Sequence, residues 1–289
     1  MATALNKKFI SVYPFVKWAG GKRQLLSEFK KYFPAIDSYD RYFEPFLGGG
    51  AVFFDLQPDR AVLMDINEEL INTYKVIQNN IEGLIQELKK HKERNSKEYF
   101  YEIRNWDRLP NYKERTAVER AARFIYLNRT CFNGLYRVNS KGQFNVPFGQ
   151  YKNPRILDEE NLRNVHLLLN NGKDILIENV DYKKVLEYAQ EGDFIYFDPP
   201  YYPLEPTSFT SYTKDDFGPE EHEELAAVFK ELTDRGCKVA LSNSSTDKVR
   251  ELYSFEGVEL IPLQARRNIN SDVNGRGAIE ELLIINYKK

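Results

Sequence analysis

The run Gly192-Asp193-Phe194-Ile195-Tyr196-Phe197-Asp198-Pro199-Pro200-Tyr201 decides how the rest of the chain is read. Phe194 to Phe197 is a short, apolar, β-favouring segment of the kind that forms a buried strand. It must stop at Asp198, because two prolines cannot continue a ladder. Each proline also pushes the residue before it into extended geometry. The Asp198 carboxylate and the Pro199 carbonyl therefore stand on stiff backbone at the strand's carboxyl edge, the rim where open α/β sheets place their ligands. Tyr201 adds a flat ring. Two fixed acceptors beside an aromatic face suit a planar amine such as a nucleobase amino group. Asp-Pro-Pro alone fits a plain strand and turn equally well; Tyr201 and the segments around it tip the balance.

Upstream, Arg41-Tyr42-Phe43-Glu44-Pro45-Phe46-Leu47-Gly48-Gly49-Gly50-Ala51-Val52-Phe53-Phe54 reads as strand, glycine turn and helix, the first βα unit of a nucleotide-binding sheet. It lacks a strict G-x-G-x-x-G, and Glu44-Pro45 precedes the turn, so a pyrophosphate cradle is not the natural reading. The next strand, Ala61 to Met64, ends in Asp65-Ile66-Asn67. An acid there is placed to accept from ribose hydroxyls; the plainer alternative for Asp65 is a helix N-cap. Nearer the start, Pro14-Phe15-Val16-Lys17-Trp18-Ala19-Gly20-Gly21-Lys22 joins two glycines to a lysine able to reach an anion or carboxylate. An apolar helix with Leu25, Leu26, Phe29 and Phe33 follows.

From Glu68 to about Arg129 the periodicity is helical with no convincing strand: Leu70-Ile71-Tyr74-Ile77, Ile81-Leu84-Ile85-Leu88 and Ala117-Ala121-Phe124-Ile125-Leu127 mark the helices. This interruption reads as an insert at 68–156, with 1–67 and 157–289 forming one discontinuous α/β domain. Within the insert, Asn128 to Gly149 contains Lys141-Gly142, a hairpin-tip signal between two short arms. The arms carry Arg137, Asn139, Asn145, Leu135, Pro147 and the aromatic Phe132. A two-stranded ribbon fits the major groove of DNA, where an arginine fork reads guanine and apolar atoms meet the thymine methyl.

Beyond Asp158 the α/β alternation resumes. It gives a helix at 159–169, a strand at 174–178, a helix starting near Asp181-Tyr182, and then the central strand. A polar loop at 204–216 leads to a helix at 219–234, a strand at 237–243 and a short helix at 246–253. Two last strands near 258–263 and 279–287 flank a loop at 266–277 that reads as mobile.

The chain's 289 residues accommodate one large domain or two modest ones. With 42% apolar and 29% charged residues the composition is that of a soluble globular protein. No run reaches membrane-spanning length, and the first fifteen residues lack an apolar core of signal-peptide size. Cys131 and Cys237 make no disulfide framework, so a reducing cytoplasm is the expected location. His91, His166 and His222 lie far apart with no C-x-x-C, so no metal site is expected. Net charge is −2, which by itself argues against a nucleic-acid partner. Its distribution argues the other way. From Arg104 to Arg155 there are eleven Lys/Arg against three acids, a local +8; the remaining 30 basic and 40 acidic residues carry −10. A basic middle on an acidic body is the footprint of a polyanion contact, although a solvated helical face gives the same pattern.

In motif order and over nearly its whole length, the chain resembles the Dam-type (GATC-directed) DNA adenine-N6 methyltransferases, including those of restriction–modification systems. The matching strings are K-W-A-G-G-K at 17–22, E-P-F-x-G-G-G at 44–50, D-I-N at 65–67, N-G-L-Y-R and F-N-V-P-F-G within 133–149, and D-P-P-Y at 198–201. D-P-P-Y marks amino-methyltransferases generally; the hairpin strings with W-A-G-G-K are more specific. The resemblance implies an α/β, Rossmann-like sheet of seven strands with a late antiparallel strand, and a helical target-recognition insert carrying the hairpin. It implies S-adenosyl-L-methionine held by Trp18, Lys22, the Glu44–Gly50 turn with Phe46 and Gly48, Asp65, Ile66, Asp181 or Tyr182, and Asp198. Asp198, Pro199 and Tyr201 would be catalytic. Lys17, Leu135, Arg137 and Pro147 would meet bases of double-stranded DNA, and Asn133, Asn139 and Asn145 its phosphates. Phe132 stands where relatives carry an intercalating aromatic, often Tyr; it keeps the stacking and loses the hydroxyl. A monomer is expected, and restriction–modification members act beside a cognate restriction endonuclease of the same site. Methylation of cytosine N4 or of RNA through the same D-P-P-Y chemistry stays open, as does a non-catalytic DNA-binding module. Neither cysteine follows a proline, against C5-cytosine methylation.

Overall fold

The strand expected at Phe194–Phe197 forms over those residues, and every one of them is buried. It lies inside a seven-stranded sheet in a computed structural model that describes residues 9–20, 22, 25–203, 217–266 and 278–288. The polar loop expected at 204–216 and nearly all of the loop expected at 266–277 fall outside the described residues.

The strands are β1 (Tyr42–Glu44), β2 (Arg60–Met64), β3 (Asp174–Glu178), β4 (Phe194–Phe197), β5 (Lys238–Ser244), β6 (Glu259–Arg266) and β7 (Ala278–Ile285), in the order β3-β2-β1-β4-β5-β7-β6. Strands β1 to β5 pair in parallel, and β7 runs antiparallel between β5 and β6. The seven-stranded, mostly parallel sheet with a late antiparallel strand is thus as expected. β1 and β4 read as unbroken apolar runs because parallel strands in mid-sheet are covered on both faces. Alternate side chains enter two cores. Tyr42, Leu63, Phe194, Tyr196, Ala240 and Leu283 face one; Phe43, Val62, Ile195, Phe197, Val239 and Ile284 face the other.

The helices are α1 (Leu26–Phe29), α2 (Ala51–Leu56), α3 (Glu68–Asn79), α4 (Ile81–Glu93), α5 (Lys97–Arg104), α6 (Ala117–Thr130), α7 (Glu159–Asn170), α8 (Val185–Tyr188), α9 (Pro219–Asp234) and α10 (Asp247–Leu252). Four of the starts follow side-chain capping chemistry within residues 68–130. Asn67, Asn80, Ser96 and Thr116 accept amides of α3, α4, α5 and α6, and Glu119 completes a capping box with Thr116. Asn67, not Asp65, is the cap of α3. The segment after Asp181 opens as a 3₁₀ turn, Tyr182–Lys184, before α8.

Residues 68–130 are mostly helical, and the hairpin and an irregular stretch to 156 follow. They share the first core: Leu70, Leu84, Ile103 and Phe124 pack in one cluster with Tyr42 and Phe194. α3 touches β3 and α7 as well as α4 and α6. The hairpin closes through antiparallel bridges Cys131–Phe148 and Val138–Phe144 rather than a continuous ladder. Two inward carboxylate and arginine contacts hold it. Asp107 Oδ2 accepts from the Phe144 amide at 2.8 Å, and Arg108 Nη2 donates to the Phe144 carbonyl at 2.7 Å.

Candidate active site

At the end of β4 the Asp198 side chain keeps 21% of its surface exposed, so it is reachable from outside. Its Oδ1 receives Lys22 Nζ at 2.7 Å and Ser242 Oγ at 3.0 Å. Burial raises the Asp198 pKa, and the lysine ammonium and the serine hydroxyl pull it back down. Lys22 is itself buried; its ammonium donates to the Gly20 carbonyl at 2.7 Å and sits 4.4 Å from the centre of the Tyr201 ring. The Tyr201 hydroxyl donates to Glu281 Oε2 at 2.7 Å, and Tyr196 Oη lies 2.9 Å from Ser242 Oγ. No described residue donates a hydrogen bond to the Pro199 carbonyl.

The glycine turn lies beside this group, between the ends of β1 and β2. Gly48 and Gly50 adopt positive φ, +48° and +68°. A Cβ on Gly48 would come within 2.7 Å of the Trp18 indole, and one on Gly50 within 2.5 Å of the Tyr74 hydroxyl. Only glycine lets Trp18 lie on this backbone. Asp65 ties the turn to β2: Oδ2 accepts from the Gly48 amide at 2.9 Å and Oδ1 from the Asn67 amide at 2.8 Å. Burial pushes its pKa up to about 6 against those two bonds. Beside it Ile66 is 57% exposed, an apolar side chain at the sheet rim with no core to fill. Phe46 stacks on Tyr182 at 5.1 Å and 24°, with Phe217 edge-on at 5.7 Å, making an aromatic wall. Asp181 caps the 3₁₀ turn by accepting from the Lys183 amide.

Glu44 is fully buried; its Oε2 accepts from Tyr42 Oη at 2.7 Å and from the Phe53 amide at 3.1 Å. Burial drives its pKa up to about 8, and the charges of Asp198 and Asp65 add to the rise. Carboxyl groups from the ends of β1, β2 and β4 therefore surround one point. That point is the carboxyl edge where the strand order reverses, the place α/β sheets bind ligands.

The hairpin meets the same neighbourhood through residues 17 and 18. Asn128 Oδ1 accepts from the Lys17 amide at 2.8 Å, and Asn128 Nδ2 donates to the Lys17 and Gly134 carbonyls at 2.8 and 3.0 Å. The Lys17 ammonium lies 4.6 Å from the Tyr151 ring centre. Trp18 stacks on Tyr136 at 5.5 Å and 22°. Phe132 and Leu135 are exposed, 52% and 37%, and Asn133, Arg137 and Pro147 are exposed as well. Arg137 Nε donates to Asn145 Oδ1 at 2.7 Å. Asn139 is spent inside the tip: its oxygen takes the Lys141 and Gln143 amides, and its nitrogen donates to Gln143 Oε1.

Residues 18–269 match the family described as D12 class N6 adenine-specific DNA methyltransferase. The chain belongs to that family. It is similar to the type II methyltransferase M1.LlaDCHI of Lactococcus lactis subsp. cremoris, 47% identical with 98% of each chain covered. It is 45% identical to the type II methyltransferase M.MjaIII of Methanocaldococcus jannaschii, covering 96% of this chain and all of that one. It is 35% identical to the DNA adenine methylase of Haemophilus influenzae, with 94% and 93% covered. The protein is thus an adenine-specific DNA methyltransferase, and the cytosine-N4, RNA and non-catalytic alternatives fall away. Among its described residues no helix is long and apolar enough to cross a membrane.

The structure of this methyltransferase narrows the charge argument. Much of the basic middle is paired with acids, at the surface as well as inside. Arg120 pairs with Glu68 and Glu69, Lys113 with Glu68, Arg108 and Arg123 with Asp107, Arg115 with Glu119, and Arg155 with Asp158. Lys17, Arg137, Lys141 and Lys152 meet no carboxylate at ion-pair distance among the described residues. Sequence reasoning missed Ser242, Glu281 and Asn128. An acid at the head of the apolar β7 and the Ser-Asn-Ser end of β5 were visible signals. Asn128, in mid-helix, gave none.

Proposed function

We propose that this methyltransferase transfers the methyl group of S-adenosyl-L-methionine to N6 of an adenine turned out of duplex DNA, most directly at GATC. The observation that carries the reading is the Asp198 carboxylate, held between Lys22 and Ser242 at the rim, partly open, with the Tyr201 ring beside it. The surroundings fit the methyl donor. Gly48 and Gly50 leave a backbone cradle that a Cβ would fill; Asp65 offers carboxylate lone pairs, and Ile66 and the Phe46–Tyr182 wall offer apolar faces for an adenosyl group. Trp18, Lys22, Glu44, Phe46, Gly48, Asp65, Ile66, Asp181, Tyr182 and Asp198 would hold it. Bound there, the donor supplies an electrophilic methyl on a sulfonium.

The chain's own residues deal with the amine. The N6 lone pair is delocalised into the purine, so the amine is a weak nucleophile. Acceptors aimed at both N–H bonds favour the state in which positive charge develops on nitrogen. Asp198 Oδ and the Pro199 carbonyl are those acceptors, and Tyr201 stacks on the base. Reaching them requires the base to leave the duplex, at about a few kcal/mol of unstacking. Phe132, exposed at the hairpin's base, fills the gap in the stack. Lys17, Leu135, Arg137 and Pro147 read bases, with Asn133, Asn139 and Asn145 on phosphates; Asn139 would first release its turn bonds. Residues 68–156 thus act as the target-recognition part, on a protein acting as a monomer, and a restriction endonuclease of the same site completes the system.

The test is tritiated-methyl transfer to a panel of short duplexes, with the product nucleoside identified by mass spectrometry. N6-methyladenine formed in GATC duplexes and not in scrambled ones is expected. Transfer confined to another sequence overturns the site assignment.

A further inference from the structure

Methyl transfer at the D-P-P-Y segment asks more than the presence of a ring. The Tyr201 side chain must point where an extruded purine can stack on it. A tyrosine has two rotatable bonds, and its hydroxyl oxygen lies on the axis of the second. A hydrogen bond to that oxygen therefore fixes where the ring points while leaving its plane free to settle against a neighbour. Glu281 makes such a bond, 2.7 Å from the Tyr201 hydroxyl, across 80 positions of sequence.

The placement of Glu281 argues that the contact serves the site. It opens the run Glu281-Leu282-Leu283-Ile284-Ile285 in β7, whose four following residues are buried and apolar. A half-buried carboxylate there is costly unless something needs its charge. Its neighbour Glu280 spends its carboxylate on Arg250 and Ser245. Among the described residues Glu281 has no cation at ion-pair distance, and its side-chain partner is the tyrosine. A charged acceptor makes the stronger bond to a hydroxyl. The sheet register puts the contact on the correct face. Glu281 pairs with Ser244, and two positions along Ser242 pairs with Leu283, so Glu281, Leu283, Ser242 and Ser244 share one side. Ser242 on that side holds Asp198. The two side chains of D-P-P-Y that would face the base are thus tethered from one face of the β5–β7 pair.

We propose that Glu281 is a positioning residue for methyl transfer, holding the Tyr201 ring in the orientation on which the target adenine stacks. This rests on the reading of D-P-P-Y as the transfer site.

The test uses the full chain and the duplex it methylates best. Single-turnover rates and the KM values for S-adenosyl-L-methionine and DNA are measured for Glu281→Ala, Glu281→Gln, Tyr201→Phe, the double variant Glu281→Ala/Tyr201→Phe, and Asp198→Ala. Loss of one charge-assisted bond at the reacting geometry is expected to slow transfer about tenfold in both Glu281→Ala and Tyr201→Phe, with the cofactor KM unchanged. The double variant should be no slower than either single one. Glu281→Gln, whose amide oxygen accepts the same bond, should recover most of the rate. With adenine replaced by 2-aminopurine at the target position, the fluorescence quenching caused by stacking should weaken in the same two single variants. Wild-type rates in Glu281→Ala, or losses that multiply in the double variant, overturn the inference while an inactive Asp198→Ala leaves the site reading standing. Full activity of Asp198→Ala overturns both. Should Glu281→Ala fail to fold, Tyr201→Phe against Glu281→Gln decides: a slow Phe variant with a fast Gln variant supports the role, and equal rates refute it.

Discussion

Asp198 sits in balance between burial, which favours its neutral form, and Lys22 and Ser242, which favour its charge. That balance keeps an acceptor at the rim without burying an unpaired ion. Replacing Asp198 with alanine removes the acceptor and leaves the hairpin intact. Methyl transfer should disappear while DNA binding by gel shift is largely retained; unchanged transfer would refute the assigned role. Glu44 shows the same physics with no cation to offset it. Its folded pKa of about 8 lies above the ordinary carboxyl value of 4.5, so between those values the folded chain holds a proton that the unfolded chain has released. Stability from this group is complete below about pH 4.5 and is lost as pH rises from there through about 8, by about 1.4 kcal/mol per unit while only the folded chain keeps the proton. Glu44→Gln, which keeps an acceptor for Tyr42 and Phe53 but cannot ionise, should flatten the fall in melting temperature between pH 6 and 8.5 for the ligand-free chain. A slope equal to wild type would show that Glu44 does not titrate in that window.

The hairpin at 131–149 is an element too short to stand alone, since two-stranded ribbons are marginal in water. Its bridges are isolated, and its stiffness comes from below. Asp107 receives the Phe144 amide and pairs with Arg123 at 2.7 Å, while Arg123 also donates to the carbonyls of Ile103 and Arg104. Asp107→Ala leaves a buried guanidinium unpaired and should cost about 3 kcal/mol in urea unfolding; a loss below 1 kcal/mol would show that the ion pair contributes little. At the hairpin's outer edge Arg137 is exposed and held by Asn145, a pre-set fork. Arg137→Ala should cost about 1–3 kcal/mol of affinity and relax discrimination at one base pair. Competition binding against duplexes altered one pair at a time reads this directly, and equal weakening on every sequence would make Arg137 a phosphate contact instead.

Across the whole molecule, the loop of residues 17 and 18 serves two surfaces at once, with Trp18 on the glycine turn and Lys17 on the hairpin's base. Asn128 joins them by three hydrogen bonds to buried or half-buried backbone. Asn128→Ala should therefore lower stability by about 2–3 kcal/mol and weaken cofactor and DNA binding together, measured by calorimetry with each ligand; a loss confined to one ligand would show that the two surfaces are held independently. The amino-acid order alone determined the strands at β2, β3 and β4, the stop at Asp198, the glycine turn with Asp65 behind it, and the hairpin tip, because those depend on side-chain alternation and on the narrow backbone choices of proline and glycine over a few residues. It left open which arginines of the basic middle face outward, since an arginine's partner is a matter of what folds against it: Arg120 finds Glu69 51 positions away. Lys22 on Asp198, Ser242 beneath it and Glu281 behind Tyr201 were likewise decided only when the parallel strands and the antiparallel β7 took their register. Contacts of that kind are set by neighbours in the sheet, and no local pattern in the chain encodes them.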